Sequence, residues 1–459
     1  MKVHPTHFVA IFGGACAGSE VAAQLARRGI AAVVVDQKAL PYGKIEDGLP
    51  KWHYKLRDKE ERKIDEKITL PGVYFIPKTR LGRDIEFNEV VHEWGFSAIV
   101  LAIGAWRDRP LPIEGINDYV GKGLYYQNPF VEWFNHKHEP DYKGPQLEIH
   151  DGAIVVGGGL ASIDVAKILM LETTLDALTR MGYETDLLTL EKEGIPKVLA
   201  KFNLKFEDLG LKGATLFYRR RNIDMPLAQL PPNATPEMVE KVQRTRQKIL
   251  KLAMDKYLFK FQELSLPVDK IIENNRLAGL VFRRTRVEAD KVVEIPGSEF
   301  EVRAPLVISS IGSIPEPIPG IPASGELFRL EDLNTGKVKG YEHVFAVGNA
   351  VTGKGNIRES ELHARRVARW MMDEFLQWTE ADYQRFQALG GESWENPSEA
   401  LLQFVREKGL LSVEQVETLL QRIQTLQQRV GYDGDYPKWR EKHLPVRLEQ
   451  LIAQGKARS

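Results

Sequence analysis

Two glycine-rich turns carry the residues best placed to do chemistry. The first, Gly13-Gly14-Ala15-Cys16-Ala17-Gly18, follows the apolar run FVAIF at 8–12. It precedes residues 19–28, where Val21, Ala22, Leu25 and Ala26 make one apolar helical face. Gly29 is placed to stop that helix, AAVVV at 31–35 to form a second buried strand, and Asp36 to end it, eighteen residues after Gly18. A carboxylate in that place accepts from ribose hydroxyls while the helix N-terminus faces a pyrophosphate. The spacing therefore points to a dinucleotide site, with an incidental glycine turn before a core helix as the alternative. Ala15 occupies the middle glycine of the G-x-G-x-x-G pattern, where a Cβ restricts the approach of backbone to phosphate. Cys16 reads as a small packing residue rather than a reactive thiol.

The second turn repeats the arrangement. AIVV at 153–156 enters Gly157-Gly158-Gly159-Leu160-Ala161-Ser162 and then IDVAKILML, again strand, turn and helix. Ser162 stands at the third fingerprint position, small enough for close helix packing. The next strand is expected at 214–218, ATLFY, and runs directly into Arg219-Arg220-Arg221. Guanidinium forks there would grip a phosphate on an adenosine ribose and select NADPH over NADH. The competing reading of the arginines is a solvated charge run. Glu191, after DLLTL, is a rival strand-end acid that would favour NADH. One module for a resident flavin dinucleotide and one for a diffusible nicotinamide dinucleotide make hydride transfer the economical reading of the pair.

These modules must be held by a chain of 459 residues, enough for two or three domains. Lys and Arg number 63 and Asp and Glu 63, so no large positive field favours nucleic acid. A single cysteine, Cys16, excludes an intrachain disulfide, a CxxC relay and an all-cysteine metal or iron–sulfur site. The ten histidines form no compact ligand pattern, so no metal is assigned. The longest apolar runs fall well short of the ~20 residues a membrane span needs. FVAIFGGACAG leads straight into strand, turn and helix, which a cleaved leader would not require, so a cytoplasmic location is expected.

The chain resembles the FAD-containing NAD(P)H oxidoreductases that include adrenodoxin (ferredoxin) reductase and the small subunit of bacterial glutamate synthase. Besides the two fingerprints, the resemblance rests on PYGKIEDGLPKWHYKL at 41–56, RLGRDIEF at 80–87, VLAIGA at 100–105, NPFVEWFN at 128–135, FYRRRNIDMPLA at 217–228 and FAVGNAVTGKGNI at 345–357. It implies an α/β fold of two interlocked Rossmann-like dinucleotide-binding domains. An FAD domain at 1–144 and 330–379 would hold an inserted NAD(P)H domain at 145–329. FAD would be framed by Gly13, Ala15, Cys16, Ala17, Gly18, Asp36, Gly43, Gly104, Gly348, Asn349, Gly355, Asn356 and Ile357. NADPH, with NADH the alternative in the same module, would be framed by Gly157, Gly159, Leu160, Ala161, Ser162, Arg219 and Arg220. No catalytic side chain is assigned. Ala15, Leu160 and Asn349 depart from the family's pattern.

The resemblance implies electron flow from NADPH through FAD to a ferredoxin-like iron–sulfur protein. A subunit feeding electrons to a larger redox complex, and a nonenzymatic nucleotide-bound structural or sensor protein, are the alternatives. Arg283, Arg284 and Arg286, with Arg365, Arg366 and Arg369, are either a basic docking face or solubilising charge. Thr235 with Pro236 should start a helix over 236–258, and LAGLVFRRTRV at 277–287 should be a strand. From 380 to 459 a helical extension is expected, with caps at Asn396 and Ser412 and an apolar stripe of Val416, Leu419, Leu420, Ile423, Leu426 and Val430. Internal packing is its default and a partner helix its alternative.

Overall fold

The structure is a computed structural model that describes residues 7–231, 233–353, 355–377 and 410–457. It divides into two compact units, one from Met1–Glu46, Lys55–Arg107 and Ile314–Leu444, the other from Asp47–Tyr54, Asp108–Ser313 and Pro445–Ser459. Each is built on a five-stranded, wholly parallel sheet.

In the first unit the strands lie in the order Val344–Ala346, Ala98–Leu101, Phe8–Phe12, Ala31–Val35, Val73–Ile76. Phe8–Phe12 and Ala31–Val35 are buried at every position, as parallel strands covered on both faces must be. Ala10 pairs with Val33 on one side and Ile99 on the other, so the order of strands reverses at Phe8–Phe12. A crevice at such a reversal, beyond the carboxyl ends of the strands, is where open α/β sheets take ligands. Gly13 begins there.

The second unit repeats the plan as Leu124–Tyr126, Val307–Ser310, Ile154–Gly157, Thr215–Phe217, Lys260–Gln262, with the reversal at Ile154–Gly157. Its outermost strand next to Val307–Ser310 comes from chain that precedes the fingerprint. The corresponding strand of the first unit, Val344–Ala346, comes from chain that follows it. The two modules are thereby interlocked in sequence. A three-stranded antiparallel sheet, Ser265–Glu273, Arg276–Glu288 and Lys291–Arg303, also belongs to the second unit.

Local signals explain most boundaries. Thr235 caps Pro236–Tyr257 by accepting the Met238 N–H, with Pro at the start where a missing N–H costs nothing. Ser412 and Gln415 form a reciprocal capping box on Val413–Arg429. In that helix Val416, Leu419, Ile423 and Leu426 are buried in the first unit, in one cluster with Phe8 and Trp94 and with Leu420 at its margin, while Val430, just past the helix, packs at the margin of the cluster around Val9 and Tyr42. The stripe is internal packing. Tyr436–His443 joins the same unit and Leu448–Ala453 the second. The cap expected at Asn396 lies outside the described residues.

One sequence expectation is overturned. DLLTL is not a strand: Leu187–Glu193 is a helix, capped by Asp186, which accepts the Thr189 N–H at 2.9 Å. Glu191 therefore ends no strand. A short apolar run carries no period long enough to separate helix from strand, and the Asp186 cap decides it.

Candidate dinucleotide sites

In the first unit, the helix after the turn runs Cys16–Ala26 and begins at Ala15 with no side-chain cap and no acid in its first turn. Its leading N–H groups are therefore not taken by a side chain, and the helix dipole favours an anion in front of them. The glycines are dictated by space. A Cβ on Gly13, which sits at φ +96°, would fall 2.5 Å from the Ala102 carbonyl oxygen, and one on Gly18 would fall 1.8 Å from that of Gly13. Strand end, turn and helix are thus in direct backbone contact. The methyl of Ala15 faces Gly43, where an added Cβ would stand 2.9 Å away, so the departure from glycine at 15 is accommodated by a glycine at 43.

Asp36 is buried, and its two oxygens accept the Gly14 N–H at 2.7 Å and the Lys38 N–H at 2.9 Å. Gly104, just beyond Ala98–Leu101, lies in the segment that passes Gly13. The late loop is brought to the same place: a Cβ on Gly348 would lie 3.1 Å from that of Ala17. Asn349 opens the short helix Asn349–Thr352, and its Oδ1 is shielded from solvent with no hydrogen-bond partner among the described residues. A shielded acceptor beside an uncapped helix N-terminus fits a ligand with N–H or O–H groups. Asn356 spends its side chain on capping Ile357–Trp370, accepting the Glu359 N–H at 2.8 Å, and Gly355 is exposed beside it.

Two supports of this site were not legible in sequence. His363, buried, accepts the Gly348 N–H on Nδ1 at 3.1 Å and donates from Nε2 to the Leu333 carbonyl at 2.8 Å. Burial lowers its pKa, which keeps the neutral ring this arrangement needs. Glu20, also buried, meets Lys67 at 2.8 Å and Arg365 at 2.6 Å. Burial pushes its carboxyl upward, but the hydrogen bonds from Arg365 and Lys67 prevail and hold it at about 2. The fingerprint helix is thereby tied to Ile357–Trp370. Cys16 is chemically quiet, since burial and the carboxylates Glu361 and Glu60 push its thiol up to about 12.

In the second unit, Leu160–Arg180 begins at Gly159, again with no side-chain cap and no acid in the first turn. A Cβ on Gly157 would lie 2.4 Å from the Ser310 carbonyl and 2.7 Å from the Ser162 Cβ, so the small third fingerprint residue is a packing requirement. The Ser162 hydroxyl donates to the Gly159 carbonyl at 2.6 Å. Nothing lies within 4 Å of a Cβ on Gly159, and Leu160 and Ala161 flank that open ground, Leu160 with more than half its surface exposed.

The arginines at the end of Thr215–Phe217 divide their labour. Arg219 is exposed, and among the described residues the hydrogen bond that anchors it is to its backbone carbonyl, which accepts from Thr285 Oγ1 at 2.8 Å. Arg220 donates to the Asp290 carbonyl at 3.1 Å and to Asp290 Oδ1 at 3.0 Å. Arg221 is paired with Asp224 at 2.9 Å. Farther along the fingerprint helix, Asp164 lies 3.7 Å from Lys167, which also meets Glu191 at 3.3 Å and covers the rings of Trp52 and Tyr257. Burial raises the Asp164 carboxyl to about 6. Glu191 accepts the Tyr257 hydroxyl at 2.7 Å, so it serves this cluster rather than a ribose. Among the other arginines, Arg283 pairs with Glu294 and Glu299, Arg286 with Glu288, and Arg365 with Glu20.

The comparisons with known proteins agree with this geometry. The sequence profile of the pyridine nucleotide-disulphide oxidoreductases matches residues 7–201. The chain is 25% identical over 382 residues to the NADPH-ferredoxin reductase FprA of Mycobacterium leprae, covering 76% of this chain and 79% of that one. It is 26% identical over 349 residues to the mitochondrial NADPH:adrenodoxin oxidoreductase of Arabidopsis thaliana, covering 69% and 70%. It is 27% identical over 316 residues to the NADPH-Fe(3+) oxidoreductase subunit beta of Geobacter sulfurreducens, covering 67% of this chain and 37% of that one. The solved structure of FprA from Mycobacterium tuberculosis in complex with NADPH has the same fold, with a TM-score of 0.66 at 18% identity over 93% of this chain and 91% of that one.

Fold, fingerprints and relatives together define an oxidoreductase built on paired Rossmann modules. Over most of its length the chain is similar to the FAD-dependent NAD(P)H oxidoreductases of the FprA and adrenodoxin reductase type. The disulphide chemistry in the broader family's description has no second cysteine here. Among the described residues, no helix is long and apolar enough to cross a membrane, and no cluster of three or more His, Cys, Asp or Glu is arranged to hold a metal.

Proposed function

We propose that this enzyme takes electrons from NADPH through a resident FAD and delivers them to a ferredoxin-like iron–sulfur protein. The first unit is the FAD site, framed by Gly13, Ala15, Gly18, Asp36, Gly348 and Asn349. The second is the NADPH site, framed by Gly157, Gly159, Ser162, Arg219 and Arg220. The observation that carries the reading is the contrast between the two strand ends, a buried acid in one unit and an exposed arginine in the other. When bound, the nicotinamide supplies a hydride and the flavin converts the two-electron step into single-electron delivery. The chain's own work is to bind and orient. Uncapped helix N-termini face pyrophosphate, the shielded Asn349 amide offers its acceptor, and neutral His363 holds the Gly348 turn. The relatives named for ferredoxin and adrenodoxin support the acceptor assignment, and the location proposed with it is the cytoplasm.

Anaerobic rapid mixing of the FAD-loaded protein tests both half-reactions. NADPH should bleach the oxidised flavin faster than NADH does, and an added iron–sulfur protein should restore the absorbance. A purified, cofactor-replete protein that shows no flavin absorbance and is reduced by neither nicotinamide would defeat the proposal.

A second reading, an electron-feeding subunit of a larger complex, is supported by the likeness to the NADPH-Fe(3+) oxidoreductase subunit beta. Stoichiometric capture of a partner from native extract distinguishes it.

A further inference from the structure

We propose that the C-terminal helix Tyr436–His443 is a clamp on the adenylate end of the first unit's nucleotide site, acting through the loop 38–43. The proposal rests on the reading of that site as an FAD site.

The loop 38–43 is the wall that follows Asp36. The Lys38 N–H is bound by Asp36, and Pro41 lies so close to the fingerprint turn that a Cβ on Gly14 would stand 2.5 Å from its own Cβ. Gly43 meets the Ala15 methyl in the same way. Any displacement of this loop therefore moves Asp36 and the turn in front of the helix N-terminus together.

What holds the loop from outside is the tail. Trp439 Nε1 donates to the Ala39 carbonyl at 2.8 Å, across four hundred residues of sequence. Arg440 Nε reaches the Tyr42 hydroxyl at 2.9 Å and Asp65 at 2.7 Å. Asp65 in turn accepts from Tyr42 at 2.9 Å and from Tyr436 at 2.6 Å. Tyr42, Tyr436 and Trp439 are all buried in one cluster with Leu40, Ile64 and Phe75. Phase by phase the network is complete: without the helix, the Ala39 carbonyl and the Tyr42–Asp65 pair lose the partners that satisfy them. Leaving a buried polar group unsatisfied is costly, so the loop would leave its place rather than keep it uncompensated. Trp439 and Arg440 are therefore positioning residues. They touch no cofactor, and they fix the segment that does.

The full-length protein, stripped of flavin, is titrated with FAD and with FMN, which lacks the adenylate. Trp439→Phe keeps the ring and removes the donor to Ala39. Arg440→Met keeps the aliphatic stem and removes both bonds. Each should weaken FAD about tenfold and FMN markedly less, because the loop continues from Asp36, at the ribose of the adenylate that FMN lacks. Ile423→Ala, in the other tail helix, removes buried surface without touching the loop. It should lower the unfolding temperature and leave the ratio of FAD to FMN affinity unchanged. Trp439→Phe and Arg440→Met proteins that keep the wild-type ratio, whether by no loss or by equal loss of both flavins, overturn the clamp. Wild-type protein that binds FAD while the variants bind it equally well defeats the clamp alone, whereas wild-type protein that binds no FAD defeats the flavin reading and the clamp with it.

Discussion

Apart from the origin of one outer strand, the two parallel sheets are arranged alike about the fingerprint strand, yet the ends of the strands that follow it are chemical opposites. Ala31–Val35 ends in Asp36, buried, with both carboxylate oxygens engaged by backbone N–H groups and a helix of the C-terminal extension packed over the loop beyond it. Thr215–Phe217 ends near Arg219 and Arg220, with Arg219 exposed and an antiparallel sheet beginning a few residues past the neighbouring strand Lys260–Gln262. The same topology thus produces one closed, acid-bearing strand end and one open, basic strand end. A closed end suits a ligand that stays, and an open one suits a ligand that exchanges.

The fingerprint glycines differ in the same sense, and this gives the largest expected effect. Gly18→Ala places a methyl 1.8 Å from the Gly13 carbonyl, a clash with backbone on a packed helix, and should destabilise the first unit by about 3 kcal/mol or more. Gly159→Ala meets nothing within 4 Å and lies at φ −90°, so stability should change by no more than about 0.5 kcal/mol. Thermal unfolding of the two variants checks this, and any loss of nicotinamide affinity in the Gly159→Ala protein then reports ligand approach rather than folding. Equal destabilisation by both would remove the asymmetry.

The strands, turns and helices that build these sites are legible because each has a period or a punctuating residue. Buried runs such as FVAIF, the cap at Thr235 and the capping box at Ser412 all act within a few residues of themselves. The first helix begins earlier than its apolar face suggests, at Cys16, because the glycine turn folds into its first turn. What sequence could not supply are the groups that meet from distant chain. Nothing near Tyr42 announces Arg440, and while the sequence can set His363 near the flavin-domain helix, it names no partner for it, least of all the Gly348 N–H. Glu20 offered a weak signal, a lone carboxylate on a helix of small apolar residues, which burial turns into a demand for partners. The misreading of Glu191 has the converse cause, a short apolar run whose local cap outweighed its strand-like look.

The Glu20 anchor belongs to the closed unit; its counterpart by fingerprint spacing, Asp164, meets Lys167 only at 3.7 Å and has its carboxyl raised rather than lowered, so breaking the Glu20 anchor should loosen one module only. Glu20→Gln leaves Lys67 and Arg365 facing a neutral group and should cost about 3 kcal/mol at neutral pH. The pH dependence follows from the sign of the shift. The carboxyl is held at about 2 in the folded protein against an ordinary 4.5, so its contribution is fully present above about 4.5 and is lost as pH falls toward 2. Wild-type and Glu20→Gln stabilities, measured by chemical denaturation from pH 7 downward, should therefore converge in that acid window. A gap that stays constant to pH 2 would show that the carboxylate's charge is not what ties the helix.

The smallest effects lie at the open end and separate the arginines from one another. Arg220 already has Asp290 as a partner, at 3.0 Å, while among the described residues Arg219 is anchored through its backbone. A phosphate on the ribose would have to share Arg220 with Asp290 but could take Arg219 outright. Arg219→Ala should weaken NADPH about tenfold, Arg220→Ala less, and NADH should change by under about twofold in either, since a charge-assisted hydrogen bond is worth ~1.5–3 kcal/mol before screening at an exposed site reduces it. Asp290→Ala frees one side of Arg220 while Asp224 stays 3.7 Å from its Nε, so it should tighten NADPH by at most about twofold and leave NADH alone. Titrations of the flavin-loaded variants with both nicotinamides provide the check. Losses that fall equally on NADPH and NADH would mean that the arginines read the shared dinucleotide or merely solubilise the strand end, and the basic end would then no longer distinguish this unit's ligand from the other's.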